Sequence, residues 1–242
     1  MKIAILTGAS RGLGAKILDL LSEEGWKVNV ISRKEMDPVP AGTDVFVEDL
    51  NNVGQLDNIM DAIFADIDME AVSQIALINN AGMIQPIREM GKMTAGEIQL
   101  SMNVNVVAPM VLSSAFIREV AGYESKAKIF TVSSGAGKRP FSGWGPYCTA
   151  KAGEDMMTRS IGLEQGEEGV RAISFGPGIM DTGMQAEIRS SSKEDFADLE
   201  RFIGFKEEGA LRKPEDVAAV VVQLLNDPAM KQGGIVDVRD FD

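Results

Sequence analysis

The alternation of two kinds of segment is the feature that most restricts the fold of this chain. Short runs rich in Ile, Val and Ala alternate with longer stretches in which apolar residues recur with the period of a helix. Such alternation is typical of βαβ units, in which helices cover parallel strands. We therefore predict a parallel sheet whose strands lie at residues 3–7, 27–32, 45–48, 75–79, 128–133, 171–175 and, at an edge, 235–238.

The segments between these strands predict helices at residues 12–24, 53–65, 94–120, 147–164 and 214–225. With 242 residues, of which 45% are hydrophobic, the chain is long enough to bury one sizeable core. The sequence shows no internal repeat and no low-complexity tract, so we expect a single domain spanning residues 1–242.

Residues 182–212 interrupt the alternation. This segment is charged, contains three consecutive serines and follows the end of a predicted strand. Two interpretations remain open: a solvated helical insertion, or a mobile lid over a ligand crevice. Because long insertions at the strand ends of such sheets are often functional, we favour a substrate lid.

The charge of the chain restricts its partners. It carries 24 Lys and Arg against 36 Asp and Glu, a net charge of −12. Nucleic acids and anionic membranes require a basic face, so we expect neither as a partner. The chain has no run of about 18 consecutive apolar residues, and its N-terminus lacks the apolar segment of a signal peptide.

Two residue types are scarce in a way that restricts the chemistry. The chain has no histidine, which excludes Ser–His and Cys–His nucleophilic machinery and the usual histidine-based metal sites. Cys148 is the single cysteine, so no intramolecular disulfide can form and a reducing cytoplasmic location is expected. We expect no metal site, and acid–base chemistry must come from Tyr, Lys or carboxylates.

A glycine-rich sequence, TGASRGLG at residues 7–14, joins the first strand to the first helix. Gly8 permits a tight turn, Gly12 lets the backbone approach a pyrophosphate, and Gly14 allows close packing of helix and strand. The unpaired N–H groups of the helix N-terminus attract phosphates. These features predict a dinucleotide site, although a purely structural turn could use the same glycines.

The end of the second strand indicates which dinucleotide is bound. A carboxylate at this place usually binds the ribose 2′-OH of NAD. Here Ser32 is followed by Arg33 and Lys34, and Arg11 lies in the glycine turn. Cations fit a 2′-phosphate, so we predict NADPH rather than NADH. The alternative is that these are ordinary surface cations.

Tyr147 and Lys151 are one helical turn apart, and Ser134 follows a predicted strand. Positions i and i+4 lie on one face of a helix, so the ammonium can lie beside the phenol. The ordinary pKa of tyrosine is about 10, and a nearby cation favours the phenolate, which brings the group towards the working pH of an acid or base. Ser134 could then hold a substrate oxygen. A surface tyrosine near a surface lysine would show the same spacing.

Together these motifs resemble the short-chain dehydrogenases/reductases, and the resemblance covers nearly the whole chain. The resemblance implies a Rossmann-type doubly wound parallel sheet of about seven strands, with the site at its carboxyl edge. The ordered motifs are the TGxxxGxG turn, Asp49-Leu50, NNAG at residues 79–82, Asn105, Ser134, Tyr147, Lys151, Pro177-Gly178 and Thr182.

The family resemblance implies roles for these residues. Tyr147 would exchange the proton at the substrate oxygen, with Ser134 bound to the carbonyl. Lys151 would lower the pKa of the phenol and hold the nicotinamide ribose, and Asn105 would position a water that links Lys151 to solvent.

The same resemblance implies a set of residues that bind NADP(H). Asp49 and Leu50 would lie at the adenine, and Thr182 would bond the nicotinamide carboxamide. The full set is Gly8, Ser10, Arg11, Gly12, Leu13, Gly14, Ser32, Arg33, Asp49, Leu50, Asn80, Ala81, Gly82, Tyr147, Lys151, Pro177, Gly178, Met180 and Thr182.

The substrate half resembles a narrower group, the bacterial benzil reductases that form (S)-benzoin, which are relatives of sepiapterin reductase. The sequences YCTAKAGEDM and FGPGIMDTGMQAEIRSSSKEDF carry this resemblance. It implies NADPH-dependent reduction of a small ketone or 1,2-diketone. Phe141, Trp144, Met184 and Ile84 are the expected apolar wall, although each could be ordinary core.

Other interpretations remain open. One is a pterin reductase, because sepiapterin reductases hold a pterin with an aspartate at a position similar to Asp237. We favour the view that Asp237 merely ends a strand. Another is a non-catalytic NADP(H)-sensing regulator. The resemblance also implies a homodimer or homotetramer, for which the helices at residues 94–120 and 147–164 are the candidate faces.

Overall fold

Seven parallel strands form one sheet in the computed structural model, which describes all residues from 1 to 242. The strands are β1 (Lys2–Thr7), β2 (Lys27–Ser32), β3 (Thr43–Val47), β4 (Gln74–Asn79), β5 (Ala127–Val132), β6 (Arg171–Gly176) and β7 (Gly234–Asp237). Their order across the sheet is β3-β2-β1-β4-β5-β6-β7. The predicted doubly wound parallel sheet is confirmed, and each predicted strand lies within two residues of an observed one.

Eight helices flank the sheet. They are α1 (Gly12–Glu23), α2 (Leu56–Phe64), α3 (Ala95–Met102), α4 (Ala108–Glu119), α5 (Gly145–Gln165), α6 (Gly183–Arg189), α7 (Leu199–Glu207) and α8 (Pro214–Asn226). Successive side chains of a strand point to opposite faces of a sheet. In β1, Ala4 and Leu6 therefore pack with α1 and α8, whereas Ile3 and Ile5 pack with α2 and α4.

The helix predicted over residues 94–120 is not regular throughout. A π-helical turn, Asn103–Val107, separates α3 from α4. Within it Asn105 is fully buried, and its side-chain amide bonds both backbone groups of Met83 at 2.9 Å. The sequence pattern did not indicate this turn, because the apolar period continues through it.

The helical stretch from Ala95 to Glu119 is long and apolar enough to cross a membrane by length and composition alone, with a mean hydropathy of 1.6 in its best window. We had expected no such stretch. In the fold, Leu112 and Phe116 are completely buried in the core beneath the sheet, and Ser113 accepts a hydrogen bond of 3.2 Å from Asn79 of β4. This packing is typical of a core helix.

The lid segment, residues 182–212, contains α6 and α7, which pack against each other. None of its large apolar side chains is fully exposed. Ile188, Phe196, Leu199 and Phe202 are buried in a small third core cluster together with Trp144 and Tyr147. The segment therefore covers the carboxyl edge of the sheet near the start of α5.

Candidate active site

A cleft of about 1340 Å³ lies at the carboxyl edge of the sheet. The turns that follow β1, β2, β4, β5 and β6 border it, together with the lid segment. In doubly wound sheets this edge is where ligands bind, since the strand ends diverge there around the switch in winding direction. Every predicted catalytic and cofactor-binding residue lines this cleft except Asn105.

The glycine turn is held tightly against the turn that follows β4. Gly8 has a φ of +72°, and a Cβ added to it would lie 2.7 Å from the Ala81 Cα. A Cβ at Gly14 would lie 2.2 Å from the Gly8 carbonyl oxygen. The Asn80 amide donates to the carbonyls of Thr7 and Gly8 at 3.0 and 3.1 Å. Gly14, in the first turn of α1, therefore lets the helix pack closely on the turn that follows β1, rather than on a strand as we had expected.

The N-terminus of α1 is open to an anion. Its N-cap residue, Arg11, makes no side-chain cap bond, and no acidic residue lies in the first turn. A Cβ at Gly12 would meet only the side chain of Thr182. The first backbone N–H groups of this helix thus face the cleft with no protein acceptor from a cap.

At the far end of the cleft, Arg33 and Lys34 are exposed beyond β2 and take part in no ion pair. Glu35 and Glu48 also border this end. Arg11 lies towards the lid segment instead, because a Cβ at Gly183 would be 3.4 Å from its guanidinium. Arg33 and Lys34 are therefore the cations that this end of the cleft offers.

The part of the cleft at Asp49 and Leu50 has an apolar floor and a fixed carboxylate. Leu50 is 7% exposed and belongs to the core beneath the sheet. The Asp49 carboxylate accepts a hydrogen bond of 2.9 Å from the backbone of Asn51. This bond fixes the orientation of the side chain at the cleft wall.

Tyr147 and Lys151 lie on the same face of α5 and are both buried, with 7% and 4% of their surfaces exposed. The Lys151 ammonium is 5.6 Å from the centre of the Tyr147 ring. Ser134 follows β5, and its hydroxyl accepts a hydrogen bond of 3.1 Å from the backbone of Ala136. The predicted triplet is thus assembled at one point of the cleft.

Burial raises the pKa of Tyr147, while the Lys151 cation and the Ser134 hydroxyl lower it and the Glu154 carboxylate raises it. The net direction is upward. Lys151 acts on the phenol in the expected direction, but desolvation of the phenolate outweighs the attraction of the cation, so the pKa does not move towards neutrality.

An aromatic cluster forms the wall beside Tyr147. Trp144 lies edge-on to Tyr147 at 5.8 Å and near Phe141 at 4.9 Å. From the lid segment, Phe202 approaches Trp144 at 5.2 Å. The four predicted wall residues, Phe141, Trp144, Met184 and Ile84, all line the cleft.

Comparison with known proteins identifies the family. The family model described as short chain dehydrogenase matches residues 2–193. The chain belongs to the short-chain dehydrogenase/reductase family. It is an oxidoreductase, and the family uses nicotinamide cofactors.

Among curated relatives, the benzil reductase ((S)-benzoin forming) of Bacillus subtilis (strain 168) is 41% identical over 243 residues and covers 100% of both chains. The benzil reductase of Bacillus cereus is 38% identical, covering 99% of this chain and 100% of the relative. Sepiapterin reductase of Xenopus tropicalis matches at 28%, covering 98% and 96%. The predicted resemblance to both groups is confirmed.

Among solved structures, a short-chain dehydrogenase/reductase from Saccharomyces cerevisiae superposes with a TM-score of 0.86 at 25% identity, covering 98% of this chain and 96% of that one. Together with the benzil reductase relatives, this match supports a short-chain carbonyl reductase.

Two residues of this short-chain reductase make contacts that the sequence did not indicate. The side chain of Asn105 holds the loop at Met83, so its proposed water-positioning role remains a prediction. Asp237 ends β7 as expected, but it also lines the cleft. Its carboxylate accepts hydrogen bonds of 2.6 and 2.8 Å from the Arg239 guanidinium, which lowers the pKa of Asp237.

Sequence reasoning missed two contributions to the site. Phe202, Phe205 and Ile188 of the lid segment also line the cleft, and the spacing of the phenylalanines in DFADLERFIGF could have indicated an apolar helical face. Glu154 was also missed. It lies one turn beyond Lys151 and is buried against the ammonium, where a helix surface would normally expose a glutamate.

Proposed function

We propose that this short-chain reductase transfers a hydride from NADPH to one carbonyl carbon of a small ketone or 1,2-diketone, with Tyr147 as the proton donor. The observation that carries the proposal is the buried Tyr147, with Lys151 at 5.6 Å, on the aromatic wall of the cleft that also contains the glycine turn. The 41% identical benzil reductase supports the same reaction class.

In the proposed reaction, the bound cofactor supplies the hydride to the carbonyl carbon. The side chains of the protein bind the carbonyl oxygen and supply its proton. Ser134 and Tyr147 bond the carbonyl oxygen, and the Tyr147 hydroxyl gives its proton to that oxygen as the C=O bond becomes C–OH. Because its pKa lies above the ordinary value, Tyr147 remains protonated at neutral pH and is ready to act as an acid. Lys151 stabilises the phenolate left behind until a proton from solvent restores it.

The residues present fit a dinucleotide. Because Gly8 and Gly14 have no side chains, the glycine turn packs closely against the turn that follows β4. The uncapped start of α1 suits a pyrophosphate. Arg33 and Lys34, without carboxylate partners, suit a 2′-phosphate and support NADPH over NADH. The turn at residues 80–82 would lie against the adenosine ribose, and Pro177, Gly178, Met180 and Thr182 would border the nicotinamide half.

The substrate class follows from the wall beside Tyr147. Four aromatic rings, those of Phe141, Trp144, Phe202 and Phe205, line this part of the cleft. Such a wall suits a planar aryl ketone or diketone. A pterin remains the second candidate, because the Asp237 carboxylate reaches the cleft, although Arg239 already bonds both of its oxygens.

We also propose a homodimer or homotetramer joined through α4 and α5. Met110 on α4 and Met156 and Leu163 on α5 are apolar yet 51%, 58% and 86% exposed. Large exposed apolar side chains on neighbouring helices are typical of subunit interfaces. The proposed location is the cytoplasm, where the half-buried thiol of Cys148 would stay reduced.

The test is the Tyr147→Phe variant, assayed with benzil, other diketones and sepiapterin. We expect NADPH binding to remain and turnover to fall by about 10² to 10⁴, the usual contribution of a positioned acid. Near-normal turnover by the variant would contradict the assignment. Faster reduction of sepiapterin than of any diketone by the wild type would favour the pterin candidate instead.

A further inference from the structure

A buried carboxylate lies directly against the ammonium of Lys151. Glu154 follows Lys151 by three residues on α5, and the two side chains are only 3% and 5% exposed. The Lys151 Nζ donates to both Glu154 oxygens at 3.0 and 2.9 Å and to the Val132 carbonyl at 2.8 Å. These three bonds use all the N–H groups of the ammonium.

This contact has an electrostatic effect on the neighbouring phenol. Tyr147 lies beside the same ammonium, so it experiences a cation and an anion together rather than a cation alone. Burial raises the pKa of Glu154 to about 7, against the opposing effect of Lys151. Above that pH the carboxylate is charged, and its charge raises the pKa of Tyr147.

Few other titratable groups face this pair. On α5 itself they are Cys148 and Asp155, and Asp155 turns towards β6, where it accepts a hydrogen bond of 2.6 Å from Ser174. The π-helical turn packed against α5 carries none.

The charged groups of the other neighbouring elements are bonded elsewhere. On α3 and β7, Glu97 pairs with Arg88, and Asp237 pairs with Arg239. On β5 and β6, Lys128 and Arg171 bond carbonyls at the amino ends of the strands. The charge of Lys138, which follows β5, lowers the pKa of Asp237. Glu154 is therefore the carboxylate that directly contacts the Lys151 ammonium.

We infer that Glu154 is a positioning residue, which holds Lys151 beside Tyr147 and offsets its charge, so that the phenol remains the protonated acid that carbonyl reduction requires. The inference rests on the proposed function. It assigns to one buried side chain the control of the protonation state of Tyr147, since carbonyl reduction needs the phenol and alcohol oxidation needs the phenolate.

The chain offers a direct readout, because Tyr123 and Tyr147 are its only tyrosines. In a Tyr123→Phe background, the ultraviolet absorbance of tyrosinate reports the titration of Tyr147 alone, without cofactor or substrate. Two variants remove the charge, Glu154→Gln with its shape kept and Glu154→Met with an apolar chain of similar length. Glu154→Asp keeps the charge, and Asp155→Asn is the matched control for a buried carboxylate that does not touch Lys151.

We expect Glu154→Gln and Glu154→Met to move the Tyr147 titration downward by about one pH unit, the lower end of the usual effect of a neighbouring charge. The pH at which kcat/KM for NADPH-dependent reduction falls on the alkaline side should decrease by a similar amount. Glu154→Asp and Asp155→Asn should stay close to the wild type. Removing the anion favours the phenolate, whereas the accompanying fall in the pKa of Lys151 acts in the opposite direction. A downward shift therefore requires that Lys151 keeps its charge in the variants.

A fall in kcat for all Glu154 variants, with the Tyr147 titration unchanged, would show a merely structural role and overturn the inference. An upward shift would overturn it as well. The proposed function fails separately, if wild-type protein reduces no carbonyl compound, and the spectroscopic titration still decides the role of Glu154 in that case.

Discussion

Trp144 stacks face to face on Phe196, with ring centroids 4.8 Å apart and planes inclined by 4°, although Phe196 belongs to the lid segment and Trp144 directly precedes α5. Phe196 is completely buried. This stack, together with Phe202, attaches the lid segment to the wall beside the proposed proton donor. The segment is thus packed onto the cleft wall, and its role as a substrate lid stays a prediction.

Phe196 does not line the cleft itself, but it supports Trp144, which does. We predict that Phe196→Ala will displace Trp144 and raise the KM for an aromatic ketone about tenfold, a factor that corresponds to about 1.4 kcal/mol. NADPH binding should change little. Phe64→Ala is the matched control, since Phe64 packs against Phe116 in the core beneath the sheet. The control should lose about 3–5 kcal/mol of stability with an unchanged KM. An unchanged KM in Phe196→Ala would argue against a substrate lid.

The cofactor preference is tested at the end of β2. Arg33→Ala should raise the KM for NADPH about 10- to 100-fold, because a charge-assisted hydrogen bond to phosphate contributes about 1.5–3 kcal/mol. The KM for NADH should stay nearly constant. Lys27→Ala provides the control at the opposite end of the same strand, where Lys27 pairs with Asp44. Equal kcat/KM of the wild type with both cofactors would refute the NADPH preference.

Two glycine substitutions should have opposite effects. Gly14→Ala forces a methyl group to within 2.2 Å of the Gly8 carbonyl oxygen. We expect it to cost about 1–3 kcal/mol of stability and to abolish measurable dinucleotide binding. Gly96→Ala in α3 meets no atom within 4 Å. It should be neutral or stabilise the fold by up to about 1 kcal/mol. Thermal unfolding with and without NADPH measures both effects.

The proposed subunit interface is tested by charge insertion. A Met156→Lys, Leu163→Lys double variant should sediment as a smaller species than the wild type, because lysine is depleted from interface cores. Val47→Lys, at an exposed apolar residue of the edge strand β3, is the control and should sediment as the wild type does. A wild-type monomer would contradict the proposal outright.

The sheet and most of the site could be predicted from the sequence, since these features depend on local patterns. The strands carry short runs rich in apolar residues. The glycine turn follows the first strand, where the chain must turn tightly into α1. Residues such as Tyr147 and Lys151 meet because one helical turn brings them together. The cleft therefore contains nearly every residue that the motifs indicated.

The remaining features depend on contacts between distant segments. Glu154 has the sequence environment of an exposed glutamate, and only the packing of α5 against its neighbours buries it. The π-helical turn at Asn105 follows from a bond to the loop at Met83, which no periodicity reveals. Burial also raises the pKa of Tyr147, and burial is not visible in the sequence. The spacing of Tyr147 and Lys151 indicated only the cation, which lowers that pKa.

The first residues of the lid segment lie against the uncapped start of α1, since the Thr182 side chain is the nearest neighbour of a Cβ at Gly12. One short stretch of chain therefore borders the region where the pyrophosphate would lie, while the rest of the same segment walls the substrate. We expect this shared boundary to impose an order on catalysis: dinucleotide enters first, alcohol departs next, and the oxidised nucleotide leaves last.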